Sequence, residues 1–437
     1  MLARQKTTPP GGAEPLPKGD YARLFEEARR RTADLVAPVS EDDMERVHNP
    51  LMSPLVWDIG HIAAFEDLWI CQHLGKLEPL HPELAEVYDA TETPRKDRGT
   101  LPFLRLSDAW DYMAEVRART LSVLDRYEGD SFIWEMVLEH EHQHNETMLQ
   151  ALQLAPAGVY FPPSHRLAAS PDEAAEPPER VLIEAGPFLM GDPGVGFAYD
   201  NERPQHEVTL RAFEIDRSPV TVGAFREFVE EGGYERRDWW SDEGWLWREA
   251  EGVERPLYWT EDGGQRFFDA VEPLDPALPV MHVSFHEAQA YAEYRGRRLP
   301  SEPEWEKAAA WDPRRGEHRR HPWGDSEPDW GRANLDQFSF RPDAVGAHAA
   351  GDSAYGVSGL EGDCWEWTAS EFHGYPGFRA YPYSEYSEIF FGGPYRVLRG
   401  GSWATRPRVV RTTFRNWDHP QRRQIFSGFR CANDVES

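Results

Sequence analysis

Two histidines one helical turn apart are the residues of this sequence best suited to hold a metal ion. In the stretch "LEHEHQHNETM" (138–148), His140, Glu141 and His144 match the H-E-x-x-H pattern, in which two imidazoles bind zinc and the glutamate is the general base of a peptidase. The apolar residues before them recur at intervals of three and four, so both histidines continue one inward face of a helix. The spacing predicts a metal site and leaves its metal and its reaction open.

A third histidine supports the metal site. His61, in "WDIGHIAAFEDLW", has helical spacing from Trp57 and Phe65 and is therefore also expected to face inward. Three inward histidines on two helices are difficult to explain by packing alone. Three neutral imidazoles would leave a divalent ion with positions open for substrate or oxygen. His142 lies two residues from the inward face and is predicted to be a surface residue.

A zinc peptidase fits the rest of the sequence poorly. Peptidases with the longer H-E-x-x-H-x-x-G-x-x-H motif continue with a glycine and a third histidine, where this chain has Thr147 and Gln150. Other zinc peptidases take a glutamate from a following helix, but a proline-rich stretch follows here. Both observations disfavour the peptidase interpretation.

The composition limits the class of partner. The chain has 437 residues, of which 47 are basic and 76 acidic, and its formal net charge is −29. This length exceeds the size at which one hydrophobic core usually stops growing, which favours two domains. The negative charge would repel nucleic acid and anionic membranes, so we expect small-molecule partners and neither of these two. A monomer is a separate expectation.

The cysteines and the chain start indicate a compartment. Cys71, Cys364 and Cys431 are odd in number and far apart, which argues against a disulfide framework and for a reducing environment. No stretch approaches the roughly 20 apolar residues that a membrane span needs, and the start lacks the apolar core of a signal peptide. The sequence predicts an untargeted, cytoplasmic protein.

The two halves of the sequence have different periodicities. Four segments between residues 20 and 155 repeat apolar residues every three or four positions, which predicts a helical bundle over 18–162. The stretch 162–180 is rich in proline, alanine and glutamate and has no period, so it is predicted to be a linker. The remainder, 178–437, combines short β-like runs, many glycines and few helices, as irregular α+β folds do. The predicted fold class is therefore a multidomain one, α followed by α+β.

Several segments make the chain recognisable. The ergothioneine-biosynthesis sulfoxide synthase family resembles this chain, from about residue 20 to 434, in "NPLMSPLVWDIGHI", "HEHQHNETMLQAL", "RLPSEPEWEKAAAWD", "GDCWEWTAS" and "RVLRGGSWATRPRVVRTTFRNWDHPQRRQIFSGFRCA". The resemblance implies a DinB-like four-helix bundle over 18–162. It also implies a domain of the formylglycine-generating-enzyme type, with a C-type-lectin-like fold, over 178–437.

The resemblance also implies a metal and a reaction. Members of the family hold a non-haem Fe(II) with three histidines. They use O2 to join a thiol sulfur to the imidazole of hercynine, which is Nα-trimethylhistidine, and the product is a sulfoxide. The family motif H-x-x-x-H-x-E falls on His140, His144 and Glu146, and the distant ligand falls on His61. Glu141 would then complete the peptidase pattern by coincidence.

For the thiol, the actinobacterial type of this family implies γ-glutamylcysteine. Arg95 and Arg98, in "TPRKDRG", correspond to residues that would grip its carboxylates through charge-assisted hydrogen bonds. Asp418 and Arg422, in "NWDHPQRR", correspond to contacts with its amino and carboxylate ends. The alternative for each arginine taken singly is a surface ion pair.

For hercynine, the resemblance implies four contacts. Gln143 would bind the imidazole and Asn416 the carboxylate. Trp417 and Tyr386 would form an aromatic wall for the quaternary ammonium, which cannot donate a hydrogen bond and is favoured over a ring face. Core packing is the alternative role for Trp417.

The resemblance assigns the catalytic acid to a tyrosine. In "YPYSEYSEIFF", Tyr383 and Tyr386 match the family's Y-x-x-Y, and the first of the pair is its proton donor. A phenol that delivers a proton would steer the oxygen chemistry towards C–S bond formation and away from oxidation of the thiol. Tyr381 lies two residues earlier, so an alignment shift of two residues stays open.

The domain type alone would also allow formylglycine generation. That reaction needs a reactive cysteine pair after the "RGGS" strand, where residues 403–406 read Trp-Ala-Thr-Arg. Cys364 and Cys431 are expected to be small buried residues. The sequence therefore lacks the nucleophiles of that reaction.

Other functions remain as alternatives. A DinB-type zinc thiol transferase would use the three histidines but would have no use for the second domain and its tyrosines. A lectin-like binding module would not need three inward histidines. A related synthase that makes 5-histidylcysteine sulfoxide for ovothiol usually carries a further methyltransferase domain. A relative that accepts cysteine or a selenium donor is harder to separate by sequence.

Overall fold

The computed structural model describes residues 16–129, 131–163 and 180–435. The stretch predicted as a linker, 162–180, therefore lies almost entirely outside the described residues. The limits of the two predicted domains remain predictions for the same reason. Among the described helices, none is long and apolar enough to cross a membrane.

The chain forms two compact units. The first, here called the helical unit, comprises the described residues up to Pro162 together with Gly194–Phe197 and Phe268–Ala270. The second, here called the mixed unit, comprises the remaining described residues. The helical unit thus includes two short segments from beyond position 180, which the sequence does not predict.

The helical unit contains the four long helices that the apolar period predicts. They are α1 (Lys18–Val36), α3 (Leu55–Glu66), α4 (Leu106–Arg126) and α5 (Phe132–Leu154), with a short α2 (Glu41–Glu45) after α1. Helix α3 continues directly into a π-helix, Asp67–Leu74, and two 3₁₀ turns follow at Pro82–Leu84 and Arg95–Thr100. Large side chains such as Phe25, Trp57 and Trp134 are fully or almost fully buried between the helices. The predicted helical bundle is confirmed.

A cluster of buried charges crosses the interior of the helical unit. Glu66 on α3 accepts hydrogen bonds from Arg117 on α4 at 2.8 and 2.9 Å and from Arg29 on α1 at 2.9 Å. Glu141 on α5 accepts from Arg29 at 3.0 Å and from Arg117 at 3.3 Å. Burial would raise the pKa of Glu66, but the charges of Arg117 and Arg29 outweigh burial and lower that pKa to about 2. Two arginines between two glutamates thus connect all four long helices.

The mixed unit is built from short strands in several small sheets. One antiparallel sheet has the order β1 (Arg180–Ile183), β4 (Phe213–Asp216), β13 (Ala432–Asp434). A second has the order β11 (Asn416–Asp418), β10 (Arg396–Arg399), β9 (Trp365–Glu371), β12 (Ser427–Gly428), and only its last pair is parallel. Three strand pairs complete the set: β2 (Gly186–Met190) with β3 (His206–Leu210), β5 (Gly264–Phe267) with β6 (Ala270–Pro273), and β7 (Trp311–Asp312) with β8 (Glu317–His318).

Four short helices lie among these strands. They are α6 (Val222–Glu230), α7 (Asp242–Glu251), α8 (Phe285–Tyr294) and α9 (Glu302–Ala310). The sequence predicts a capping box at the start of α8, from Ser284 and Glu287, and another at the start of α9, from Ser301 and Glu304, and both are present. Single 3₁₀ turns occur at Asp200–Glu202, Arg237–Trp239, Ala349–Gly351, Ser384–Tyr386 and Glu388–Phe390. The α+β class of this half is confirmed.

Buried ion pairs join helix α9 to strands β10 and β11. Arg415, the residue before β11, binds Glu302 through two hydrogen bonds of 2.7 and 2.9 Å. Arg399 on β10 binds Glu302 and Glu306, each at 2.7 Å. None of these four side chains is more than 5% exposed. Two further buried pairs of this kind are Arg411 with Glu202 and Arg430 with Glu366. Buried ion pairs therefore fix the start of β11, the strand that carries three predicted substrate residues, and its neighbour β10 to helix α9.

Candidate active site

Three histidines meet at one point in the helical unit. His61 on α3 and His140 and His144 on α5 each offer a ring nitrogen, and these nitrogens lie within 4.8 Å of one another. The Nε2 atoms of His61 and His140 are 3.2 Å apart. Nitrogen ligands sit about 2.1 Å from a first-row ion such as zinc, so two of them at right angles are about 3 Å apart. The spacing suits one metal ion.

Hydrogen bonds orient two of the three rings. Nδ1 of His61 is 2.7 Å from the carbonyl oxygen of Tyr88, and Nδ1 of His144 is 2.9 Å from Oδ1 of Asp58. A carbonyl and an ionised carboxylate only accept, so Nδ1 carries the hydrogen and donates in both rings. In the neutral form of each ring, Nε2 is then the nitrogen with the lone pair that can bind a metal.

A glycine makes room for the contact to His61. A Cβ atom on Gly60 would lie 2.2 Å from the ring of Tyr88, so no larger residue fits there without displacing that ring. Tyr88 is further held by its hydroxyl, which accepts from the backbone N–H of Leu104 at 2.9 Å. The glycine therefore lets Tyr88 approach α3 closely enough for its carbonyl to orient the histidine.

Aromatic rings cover His61 and His140, and burial favours the neutral form of these two histidines. Phe65 stacks on His140 with centroids 3.7 Å apart, and Trp57 stacks on His61 at 4.9 Å. Burial and the nearby His144 lower the pKa of His61 well below its ordinary value. Burial, His144 and His61 do the same to the pKa of His140. Imidazole donors in the neutral form fit Fe(II), because they leave a divalent ion its Lewis acidity.

The face of α5 that carries the histidines is its less covered face. His140, Gln143, His144 and Thr147 are partly exposed, whereas most other residues of α5 are buried. His142 is only 4% exposed, so the prediction that it lies on the surface is wrong. The prediction failed because α5 is covered on nearly every side. Solvent therefore reaches α5 mainly along the strip that carries the candidate metal ligands.

Glu141 points to a different part of the helical unit. Its carboxylate accepts from Arg29, Arg117 and the hydroxyl of Thr32, the last at 2.8 Å. A general base of a peptidase must reach a water on the metal. Glu141 is instead engaged in the buried charge cluster between the helices. The H-E-x-x-H match is therefore coincidental, as the resemblance implies.

The other predicted residues of the helical unit differ in exposure. Arg98 is buried, with its guanidinium carbon 3.8 Å from the ring centroid of Trp57, and it donates to the Ser53 hydroxyl and to two backbone carbonyls. Arg95 is exposed. Gln143 precedes a candidate ligand directly and donates from Nε2 to a carbonyl one turn earlier at 3.3 Å. Three N–H groups of Arg98 are thus engaged by protein acceptors, and two more remain on its guanidinium.

Strand β11 brings together three predicted residues of the mixed unit. Asn416, Trp417 and Asp418 form this strand and pair with β10. Nε of Arg422 lies 3.7 Å from Oδ1 of Asp418, and the two side chains are 21% and 23% exposed. Asn416 and Trp417 are also partly exposed. The four residues therefore form one partly open, polar and aromatic group.

Trp417 lies in a cluster of aromatic rings. It stacks on Phe372 with centroids 4.1 Å apart, and the ring of Tyr386 meets it edge-on at 6.1 Å. Tyr386 stacks on Tyr199 at 4.3 Å, and the ring of Tyr383 is 6.3 Å from that of Tyr386. Both Tyr383 and Tyr386 are partly exposed. The structure thus groups both predicted tyrosines with Trp417, in a cluster whose ring faces can attract a quaternary ammonium.

Comparisons with known proteins match both units and the whole chain. Residues 24–154 match the DinB superfamily, and residues 166–435 match the sulfatase-modifying factor enzyme 1-like domain. A hercynine oxygenase of Mycolicibacterium thermoresistibile is 45% identical over 438 residues, which cover 96% of this chain and 96% of that protein. One of Mycolicibacterium smegmatis is 46% identical over 418 residues, which cover 93% and 97%. The chain belongs to the hercynine oxygenase family.

Membership of the hercynine oxygenase family confirms the resemblance predicted from the sequence. It makes the chain an oxidoreductase, and the two domain matches confirm the predicted fold of each half. A formylglycine-generating enzyme of Streptomyces coelicolor is 31% identical over 327 residues, but these cover 63% of this chain and 96% of that protein. The likeness to hercynine oxygenases therefore extends over more of the chain.

The thiols of this hercynine oxygenase family member are structural. Its three cysteines are free and buried. Burial raises the pKa of Cys364 and of Cys431 well above the ordinary value of a thiol, so neither is a reactive thiolate. The expectation that these two cysteines are small buried residues is confirmed.

Two residues of the candidate metal site were missed by the sequence reasoning. Asp58 could have been found, because it lies three residues before His61 and a polar residue at that spacing shares the face of a helix. Tyr88 contributes a backbone carbonyl, and no residue type or spacing signals such a contact. Of these two residues, only Asp58 therefore has a signal in the sequence.

Proposed function

We propose that the chain is an Fe(II)- and O2-dependent sulfoxide synthase. It joins the sulfur of γ-glutamylcysteine to C2 of the imidazole of hercynine and forms γ-glutamyl-hercynylcysteine sulfoxide, in ergothioneine biosynthesis. The observation that carries the proposal is the convergence of three ring nitrogens, from His61, His140 and His144, within 4.8 Å. The relatives named hercynine oxygenase support the imidazole substrate.

The proposed reaction balances with one molecule of O2. The C–H bond at C2 of hercynine and the S–H bond of the thiol are broken, and a C–S bond forms. One oxygen atom ends on sulfur, and the other leaves as water with the two hydrogens. When bound by the three histidines, Fe(II) would supply the oxygen activation that neither organic substrate provides.

Hercynine is proposed to be recognised by four residues. Gln143 would bind its imidazole ring and Asn416 its carboxylate. Trp417 and Tyr386 would face its trimethylammonium group, whose charge is attracted to a ring face. The aromatic cluster around Trp417 supports this assignment, because Phe372 and Tyr199 hold the two rings in fixed positions.

The thiol substrate is proposed to be γ-glutamylcysteine. Asp418 would bind its amino group and Arg422 a carboxylate, while Arg95 and the remaining N–H groups of Arg98 would bind further carboxylate oxygens. The 3.7 Å pair of Asp418 and Arg422 supports a site for a zwitterion, because the two charges are already adjacent. We further propose a cytoplasmic location, since cytoplasm keeps such thiols reduced.

Tyr383 is proposed to donate the proton that directs the chemistry. A phenol has one O–H group, which it can donate. If the proton arrives at the right step, the oxidised sulfur is captured by the imidazole and does not proceed to a sulfinate. Its neighbour Tyr386 belongs to the aromatic wall in this proposal.

The experiment that tests the proposal is anaerobic reconstitution. Protein loaded with Fe(II) is mixed with hercynine and γ-glutamylcysteine and exposed to O2, and products are measured by mass spectrometry. We expect a product with the mass of both substrates plus one oxygen and minus two hydrogens. Cysteine and a selenium donor are tested in parallel. Zn(II)-loaded protein should be inactive, and turnover with zinc would instead support a zinc thiol transferase.

Two histidine variants provide the matched comparison. His140→Ala should lose iron and turnover. His142→Ala changes the same residue type on the same helix, two positions away, and should keep both. If His140→Ala kept full iron and activity, the metal assignment would be wrong.

A further inference from the structure

One carboxylate contacts both ends of the segment that carries the two predicted tyrosines. This segment, residues 381–387, is here called the tyrosine loop. Oδ2 of Asp200 accepts from the backbone N–H of Tyr381 at 3.1 Å, just before the loop reaches Tyr383. Oδ1 of Asp200 accepts from the hydroxyl of Ser387 at 2.6 Å, just after Tyr386. The two oxygens of one side chain thus contact both ends of the loop, although Asp200 and its nearer partner are 181 positions apart in the sequence.

Asp200 is itself held rigidly. It begins the 3₁₀ turn Asp200–Glu202 and is 3% exposed. Glu202, at the end of the same turn, accepts from Arg411 at 2.8 Å and from the Thr413 hydroxyl at 2.6 Å. A buried carboxylate two residues from a buried ion pair has little room to move with the loop. It therefore serves as a fixed point for that loop.

The residue before Asp200 contacts the same loop. The ring of Tyr199 stacks on that of Tyr386, with centroids 4.3 Å apart and planes inclined by 14°. Ser387 is fully buried, so its hydroxyl cannot exchange Asp200 for water without a local opening. Stacking and hydrogen bonding from two consecutive residues together restrict the position of the loop.

We propose that Asp200 is a positioning residue that holds the tyrosine loop so that the Tyr383 hydroxyl is presented in one place. The proposal rests on the proposed function for the role of Tyr383, and on the structure for the contacts. A proton donor is effective only within hydrogen-bond reach of its target, about 2.6 to 3.2 Å. A loop that moves by 1 Å would therefore deliver its proton less often, and the thiol would be oxidised without coupling.

Burial supports a role beyond stability. It raises the pKa of Asp200 to about 6, despite the hydrogen bonds from Ser387 and Tyr381 that favour the charged form. A neutral amide of the same shape would avoid the unfavourable burial of charge. An amide offers one acceptor oxygen, so the Ser387 hydroxyl would have to accept from its N–H, and both contacts would lose the charge that strengthens them.

The test uses Asp200→Asn and Ser387→Ala in the full-length, iron-loaded protein. The first readout is amide hydrogen exchange of the peptide that contains residues 381–387, which reports the loop directly. A loss of about 1.4 kcal/mol, from one hydrogen bond in Ser387→Ala or from charge assistance in Asp200→Asn, corresponds to a tenfold change in the opening equilibrium. We therefore expect about tenfold faster exchange in each variant. The second readout is the ratio of sulfoxide to sulfinate, which should fall in both.

Asp352→Asn is the matched control. Asp352 is also an aspartate of the mixed unit that accepts a serine hydroxyl at 2.6 Å, in this case from Ser358, and its other oxygen accepts from Arg217 at 2.7 Å. Neither partner belongs to the tyrosine loop. It should change neither readout. Ser387→Ala removes a single oxygen atom and keeps the test valid if Asp200→Asn folds poorly.

The outcomes separate this proposal from the role of Tyr383. Unchanged exchange of the loop in both Asp200→Asn and Ser387→Ala would overturn the positioning role. Faster exchange with an unchanged product ratio would also overturn it, provided that Tyr383→Phe does lower the ratio. If Tyr383→Phe leaves the ratio unchanged, the proton-donor role of Tyr383 fails. Faster exchange together with a lower ratio, in both variants and not in Asp352→Asn, supports the proposal.

Discussion

Oδ1 of Asp58 lies 2.9 Å from Nδ1 of His144. Because a carboxylate only accepts, this contact keeps the hydrogen on Nδ1 and leaves Nε2 available to a metal. Asp58 is 1% exposed, so water does not readily take its place. The candidate metal centre therefore depends on a residue that need not bind the metal itself.

Replacing Asp58 should weaken iron binding. We expect Asp58→Ala to lower Fe(II) affinity about 10- to 100-fold, the usual effect of losing a partner of a ligating histidine. Anaerobic competition with a coloured Fe(II) chelator measures the change. Asp67→Asn is the control, since Asp67 pairs with Arg119 at 2.8 Å and should keep normal affinity. Equal losses in the two variants would speak against a specific effect on His144.

Replacing Glu141 should affect stability and not the chemistry. Glu141→Gln leaves Arg29 and Arg117 with one buried partner fewer, so the free energy of unfolding should fall by about 3 to 5 kcal/mol. Urea unfolding measures this change. Asp34→Asn breaks the exposed pair with Arg30 and should change stability by less than about 1 kcal/mol. Normal stability with abolished turnover in Glu141→Gln would return it to the role of a catalytic base.

Replacing Tyr383 should change the product and not the binding. Tyr383→Phe keeps the ring and removes only the hydroxyl. Sulfoxide formation should fall by about 10²- to 10⁴-fold, the range for a general acid, while O2 consumption continues as sulfinate production. NMR of the products at saturating substrates gives the ratio. Tyr386→Phe should mainly weaken hercynine binding, and a collapse of the ratio seen only there or in Tyr381→Phe would move the catalytic role away from Tyr383.

Replacing Asp418 should reduce the preference for the dipeptide. If Asp418 binds the amino group of γ-glutamylcysteine, Asp418→Ala should cost about 2 to 5 kcal/mol in kcat/KM for that thiol. The loss for free cysteine should be smaller, because its amino group lies closer to the sulfur. The measured quantity is the ratio of kcat/KM for the two thiols. An unchanged ratio in Asp418→Ala and in Arg95→Ala would mean that the thiol donor is misassigned.

Asp200 should make stability depend on pH in a definite direction. Its pKa is raised to about 6 by burial, with a further increase from the negative charge of Glu202. Because the folded protein holds this proton more tightly than the unfolded chain does, the fold is stabilised at pH values below about 4. This stabilisation is lost as the pH rises through 6. A shift of about two units corresponds to roughly 3 kcal/mol. The Tm of Asp200→Asn relative to the wild type should therefore be higher at pH 7 than at pH 4, and a constant difference would contradict this.

The sequence predicts the long helices and one part of the metal site. The apolar period is sufficient for α1, α3, α4 and α5, because each of these helices buries a continuous face. His140 and His144 are adjacent through helical spacing alone. Placing His61 beside them requires either tertiary packing or the family resemblance. The π-helix Asp67–Leu74 is not predicted, since its residues read as an ordinary continuation of α3.

The contacts that the sequence does not predict are those between distant parts of the chain. Asp200 and Ser387 are 187 positions apart, and neither belongs to a motif that indicates the other. His142 is buried because neighbouring elements cover the side of α5 on which it lies. The spacing of apolar residues within one helix carries no information about those neighbours. Arg98 is predicted to bind a carboxylate of the substrate, and nothing in the sequence indicates that it packs on Trp57. In each case the missing information is the identity of the neighbouring element.

The buried ion pairs of the mixed unit imply an unusual response to ionic strength. Mobile ions screen exposed charges over about 10 Å at 0.1 M salt, but they do not enter a sealed interior. Arg399, Arg415, Glu302 and Glu306 are at most 5% exposed, so added salt should leave their attractions intact. The same salt would reduce the mutual repulsion that follows from a net charge of −29. A protein of this charge should therefore hold its fold as well in concentrated brine as in dilute buffer, or better.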